Sequence, residues 1–160
     1  MRVVLDTNVC LDAFVFADPR AATLVAALEA GEVQAVTRED CRAEWLAVLG
    51  YPALKLDDAR RQEAMARFDR YVTLLPDDAS PVERTDAPLR ADAPLRPDAP
   101  RRAPRCRDPD DQMFLELAVS AGATVLFSRD SEVLRLARRT KREGLFDITT
   151  PEAWKNAQPR

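Results

Sequence analysis

The side chains of this sequence that could do chemistry are carboxylates. Its 160 residues contain no histidine, which removes Ser-His-Asp and Cys-His catalysis and any histidine-ligated metal. The three cysteines, Cys10, Cys41 and Cys106, are an odd number without CxxC spacing, so neither a disulfide framework nor a structural zinc site is indicated. The acids fall at particular places. Asp6 closes the apolar run Val3-Val4-Leu5, and Asp130 follows Val125-Leu126-Phe127 after a short polar step. Between them lie Glu44 and the segment Asp108-Pro109-Asp110-Asp111. Carboxylates that converge repel: two unit charges at ~4 Å cost about 4 kcal/mol at an effective dielectric of ~20. A divalent cation removes that cost, and oxygen-only ligands favour Mg2+ or Mn2+. The same ion neutralises a phosphodiester and activates water for in-line attack. An acid cluster without histidine therefore suits phosphodiester hydrolysis.

Each acid also has a plainer reading. An aspartate after a strand is often a helix cap, yet two at equivalent strand ends point toward one shared edge. Asp108 as N-cap and Asp111 in the first turn are what a helix start favours. Asp111 nevertheless heads the stripe Phe114, Leu115 and Ala118, and an acid on a core-facing stripe needs a partner. Glu44 has Ala47 and Val48 at i+3 and i+4, which leaves it either solvated or part of the cluster.

The elements that must position these residues alternate. Residues 2–5 form a β-branched run ending in the polar turn Asp6-Thr7-Asn8. Asp18-Pro19 and Gly31 bracket a helix. Val33 to Val36 is a second strand, and Thr37 with Asp40 resembles a capping box opening a helix to about Leu49. Asp57 starts another helix, to about Tyr71, and Val72 to Leu75 is a weak third strand. Asp108-Pro109 opens a helix that Gly122 stops. Thr124 to Phe127 is a fourth strand, followed by one helix from Asp130 to about Arg142. Phe146 to Thr149 is the last strand, and Thr150-Pro151 opens a terminal helix bearing Trp154. Alternating strands and helices predict a three-layer α/β fold on a central, mainly parallel five-stranded sheet flanked by helices. Ligands bind at the carboxyl ends of such strands, where Asp6 and Asp130 lie.

Between Pro76 and Arg107 the composition shifts to Pro, Asp, Ala and Arg, and Asp86-Ala87-Pro88-Leu89-Arg90 recurs as Asp92-Ala93-Pro94-Leu95-Arg96. So short a Pro-rich repeat cannot bury a core and reads as a loop inserted in a single domain spanning 1–160. The net charge is −3, so no global basic field advertises nucleic acid. Local patches remain: Arg135, Arg138, Arg139 and Arg142 share a helix face at i, i+3, i+4 and i+7, as a solvated face or an RNA phosphate contact. No apolar run reaches the ~18 residues of a membrane span, and the N-terminus lacks a secretory pattern. A cytoplasmic protein without a membrane partner is expected.

Four of these segments together carry a family likeness. Val4-Leu5-Asp6-Thr7-Asn8-Val9 resembles the opening strand of PIN-domain nucleases. Glu44 followed by Val48-Leu49-Gly50-Tyr51-Pro52 is similar to the family's second acidic site. Cys106-Arg107-Asp108-Pro109-Asp110-Asp111, with Phe114-Leu115 after it, resembles the third-acid motif of the bacterial VapC-like branch, the toxins of toxin–antitoxin pairs. Ser128-Arg129-Asp130 matches the fourth site. The likeness implies Mg2+- or Mn2+-dependent RNA cleavage, with Asp6, Glu44, Asp111 and Asp130 as metal ligands. Asp111 is preferred to Asp108 and Asp110 for its distance from Gly122. Thr7, Asn8 and Ser128 are implied as hydrogen-bonding supports. A cognate antitoxin and a homodimer are the partners implied. Gln112-Met113 is less charged than the usual family residues there.

Rival readings fail on single residues. A haloacid-dehalogenase-like phosphatase needs an aspartate where Asn8 stands, and a receiver module needs a lysine at the end of its last strands. A non-cleaving PIN scaffold would lack an acid, and a housekeeping RNA-processing nuclease would share the site but not the antitoxin.

Overall fold

Alternate residues of the central strands feed two separate cores. In β1 (Arg2–Leu5), Val3 and Leu5 enter one core and Val4 the other; in β4 (Val125–Phe127), Val125 and Phe127 join the first and Leu126 the second. This period-2 alternation makes the sheet the middle of three layers. The computed structural model describes residues 1–76 and 102–154. Its sheet has five strands in the order β3-β2-β1-β4-β5, with β2 at Gln34–Thr37, β3 at Val72–Leu74 and β5 at Asp147–Thr149. Every pairing is parallel, so all carboxyl ends lie along one edge.

The first core is closed by α1 (Thr7–Phe14), α2 (Ala22–Glu29), α4 (Asp58–Tyr71) and α8 (Pro151–Trp154); the second by α5 (Gln112–Ser120) and α6 (Ser131–Leu134), with Ala137 of α7 (Ala137–Arg142) packed on it. Helix α3 (Glu39–Leu49) serves both: Trp45 and Leu49 enter the first core, Cys41 the second. It therefore spans the two layers and contacts both α1 and α5. Aromatic packing fixes it there. Trp45 stacks on Phe68 of α4 with centroids 5.2 Å apart, and Phe14 of α1 meets both rings edge-on. Such pairs add ~0.5–1.5 kcal/mol each beyond burial.

Several local expectations change. Residues 7–14 are a helix, not a turn; the chain passes from strand to helix at Asp6 without a loop, and Val9, Cys10, Ala13 and Phe14 form its buried face. The first-core helix expected after Asp18 begins as a short 3-10 turn, Pro19–Ala21. No capping box forms at Thr37. Helix α3 starts at Glu39 after Arg38, and the Asp40 carboxylate binds Arg38 and accepts from the Cys41 N–H. The single helix expected from Asp130 to Arg142 is two, broken at Arg135-Leu136, where no glycine or proline marks the break. Most of the repeat, residues 77–101, lies outside the described residues. Residues 102–107, expected to belong to the loop, have no helix or strand but are packed: Cys106 is in the second core with Ala103 against it, and Pro104 is buried. Among the described residues no helix is long and apolar enough to cross a membrane.

Candidate acidic metal centre

The register of β1 and β4 builds the base of the site. Leu5 sits opposite Phe127, so the residues that follow, Asp6 and Ser128, meet at the carboxyl edge. The Asp6 N–H donates to the Phe127 carbonyl at 2.9 Å. The Ser128 hydroxyl donates to Asp6 Oδ2 at 2.7 Å, and Asp6 Oδ1 accepts from the Thr7 N–H at 2.7 Å as the cap of α1. Asp6 is only 3% exposed. Burial pushes its carboxyl up to about 6; the bonds from Ser128 and Thr7 oppose this, and the charges of Glu44 and Asp130 add to it.

Glu44 reaches this base from α3. Its Oε2 accepts from the Thr7 hydroxyl at 2.7 Å, so Thr7 holds one carboxylate with its backbone and another with its side chain. Asn8 acts one step further out. Its Oδ1 accepts from the Arg129 N–H at 3.2 Å and ties α1 to the turn between β4 and α6. Ser128 Oγ also accepts from the Asp130 N–H at 3.0 Å, while Asp130 caps α6 by accepting from the Glu132 N–H at 2.8 Å. The three supports implied by the resemblance thus lie in one hydrogen-bonded frame around the acids.

The chain entering α5 supplies the rest. Asp108, Asp111 and Asp130 each present a carboxylate oxygen, all within 4.8 Å of one another. Asp108 and Asp130 are both engaged as caps. Asp111 differs: its Oδ2 is buried with no hydrogen-bond partner among the described residues. Burial first, then the charges of Asp6, Asp130, Asp108 and Glu44, raise its carboxyl to about 7. Every charged neighbour in that series is a carboxylate. The arrangement therefore holds like charges together and leaves one oxygen orphaned, which is what a bound cation would resolve. The donors are all oxygens, as hard divalent ions require.

Of the four acids singled out in the sequence, Asp111 and Asp130 converge with Asp108, whereas Asp6 and Glu44 lie outside that group of three and act on Asp111 through their charge. In the sequence Asp108 stood as an N-cap and as a ligand alternative to which Asp111 was preferred. Asp110 is exposed and outside the group. Sequence reasoning also passed over Arg129, whose guanidinium pairs with Asp12 of α1 and, at 2.8 Å, with Glu152 of α8. It links both elements to the turn that carries Asp130; only its position between Ser128 and Asp130 could have drawn attention to it. Arg135, Arg138, Arg139 and Arg142 are exposed but do not share one helix. Arg135 pairs with Glu132 at 3.6 Å and Arg139 with Glu143 at 3.0 Å. Arg138 borders a groove with Met1, Thr124 and Asp147 at the opposite, amino edge of the sheet.

Comparison with known proteins gives the family and the fold. The sequence profile of the PIN domain matches residues 2–132. The crystal structure of VapBC2 from Rickettsia felis bound to a DNA fragment from their promoter is similar, with a TM-score of 0.51 at 13% identity, over 92% of this chain and 97% of that one. At that identity the likeness is one of fold. No curated protein matches the sequence.

Proposed function

This chain belongs to the PIN-domain family, and from that premise we propose that it hydrolyses RNA phosphodiester bonds with Mg2+ or Mn2+ held in the acidic cluster. The observation that carries the reading is the orphaned, buried Asp111 Oδ2 amid the carboxylates of Asp6, Asp130, Asp108 and Glu44. Asp108, Asp111 and Asp130, whose carboxylate oxygens converge within 4.8 Å, would hold the metal, with Asp6 and Glu44, which act on Asp111 electrostatically, completing the set. When bound, a divalent ion supplies charge neutralisation at the phosphate and a more acidic water.

The chain's own residues set the frame for that chemistry. Ser128 and Thr7 fix both oxygens of Asp6. Thr7 also orients Glu44. Asn8 and Arg129 brace the turn that presents Asp130. Such supports keep carboxylates in place against their repulsion before substrate arrives.

The fold likeness to VapBC2, with the third-acid motif around Asp108 to Asp111, supports a narrower reading as the toxin of a toxin–antitoxin pair with a cognate antitoxin. Action in the cytoplasm and self-association as a homodimer are carried over from the family resemblance. A non-cleaving scaffold or a housekeeping RNA-processing nuclease are the rivals. The decisive measurement is Mn2+-dependent cleavage of RNA by the purified protein, with the Asp6→Asn variant in parallel. Cleavage that is abolished by chelator and by Asp6→Asn is expected. Equal cleavage by both proteins would sink the assignment.

A further inference from the structure

From the geometry around residues 102–107 we infer that Arg105 and Arg107 form a phosphate-binding rail that leads single-stranded RNA into the acidic cluster. The inference rests on the ribonuclease reading above and adds to it where the substrate backbone lies.

This short segment is ordered by an unusual clamp. The Gln112 side chain at the start of α5 accepts from the Cys106 N–H at 2.6 Å and donates to the Pro104 carbonyl at 3.1 Å. One amide thus satisfies a backbone donor and acceptor two residues apart, as a neighbouring strand would. Burial along the segment alternates accordingly. Pro104 and Cys106 point into the protein, and Arg105 and Arg107 are exposed, the pattern of extended chain. Side chains at i and i+2 then leave the same face about 6.6 Å apart at the backbone. Gln112, the departure from the usual family residues at this point, fixes the register of both arginines.

Arg105 and Arg107 make no ion pair with any described residue, which they share with Arg138 and Arg142 of α7 but not with Arg38, Arg42, Arg129, Arg135 and Arg139. Position sets them apart: of these unpaired arginines, only they lie in the segment that leads into the acidic cluster. Arg107 directly precedes Asp108, whose carboxylate lies within 4.8 Å of those of Asp111 and Asp130. Asp108 and Asp130 each give an oxygen to a helix cap and Asp111 Oδ2 is buried, and none of the three forms an ion pair with Arg105 or Arg107. Two free, pre-positioned cations at the mouth of an anionic site match a polyanion whose reacting phosphate must enter that site. Guanidinium suits phosphate oxygens through paired donors.

The test measures steady-state cleavage of an unstructured RNA oligonucleotide in Mn2+, across a salt series. Arg105→Ala/Arg107→Ala is expected to raise KM at least tenfold with kcat within threefold. It should also make the slope of log affinity against log salt shallower by about 1.4, from ~0.7 per lost contact on a single strand. Arg105→Lys/Arg107→Lys should restore most of that slope. Arg135→Ala/Arg139→Ala should change KM less than the rail variant does. If wild type cleaves RNA but the rail variant keeps its KM and salt slope, or if the α6–α7 variant has the larger effect, the rail is overturned and the ribonuclease reading stands. If wild type neither binds nor cleaves the oligonucleotide, the ribonuclease reading falls and the rail with it.

Discussion

The two edges of the same parallel sheet are built in opposite ways. At the amino edge a groove of about 810 Å3 opens between Met1, Val33, Thr124 and Trp154, and its charges are mixed: Glu32 and Asp147 with Arg138 and Lys141. At the carboxyl edge the charges of Asp6, Glu44, Asp108 and Asp130 all bear on Asp111. Shape does not mark either edge as the reactive one. Electrostatics chooses the carboxyl edge, because holding like charges together costs free energy that only a ligand of opposite charge returns. The amino edge has no such debt.

Making the same substitution at each edge is the strongest way to break that contrast. Asp6→Asn keeps the shape of the side chain and removes its charge, and cleavage should fall by about 10²- to 10³-fold or more. Asp147→Asn at the amino edge should leave the rate within twofold. Comparable losses at both edges would mean that charge at the carboxyl edge has no special part in the reaction.

The frame around the acids should matter next. Thr7→Val removes the hydroxyl that holds Glu44 and preserves volume. Mn2+ affinity, read by calorimetric titration, should weaken by about 10- to 100-fold, the usual effect of losing a support behind a ligand. An unchanged affinity would place Glu44 outside the metal centre.

Metal itself should stabilise the fold. At 100 times Kd, binding to the native state alone adds about 2.7 kcal/mol, which for a chain of this size is roughly 5–10 °C in Tm. Wild type should show that rise with Mn2+ and Asp111→Asn much less. Equal rises in both proteins would move the ligand role from Asp111 to Asp108.

The smallest effect expected is on pH dependence without metal. Asp6 and Asp111 titrate near about 6 and about 7, above the ordinary value of 3.8. Between pH ~4 and those values the folded protein retains protons that the unfolded chain has released. Stability of the metal-free protein therefore falls as pH rises through this window. Thermal melts in chelator at pH 5 and pH 7.5 should show wild type losing stability, Asp111→Asn losing less, and Mn2+ flattening the curve. A wild-type Tm that rises across the window would contradict the repulsion on which the comparison rests.

What the sequence by itself determined was local. Apolar runs followed at once by polar residues marked the strands that end at Asp6 and Asp130, and alternation of strands with helices implied a parallel sheet with those acids at one edge. Asp57 as a cap and Gly122, at φ 63°, as a stop were legible because capping depends on neighbours a few residues away. The helix at Thr7–Phe14 was hidden because no loop separates it from β1, and the break at Arg135-Leu136 because no residue there forbids helix. Only the tertiary structure decided the rest. Glu44 could be solvated or buried until α3 was laid across both layers and its carboxylate met Thr7, 37 residues away. Asp108 was a cap and a less favoured ligand until α5 and α6 brought it beside Asp130, and Arg105 and Arg107 belonged to an unplaced basic loop until Gln112 clamped the chain at Pro104 and Cys106. Period and propensity act over a few residues, whereas the energy of a charge depends on which distant charges the strand register brings within a few ångströms.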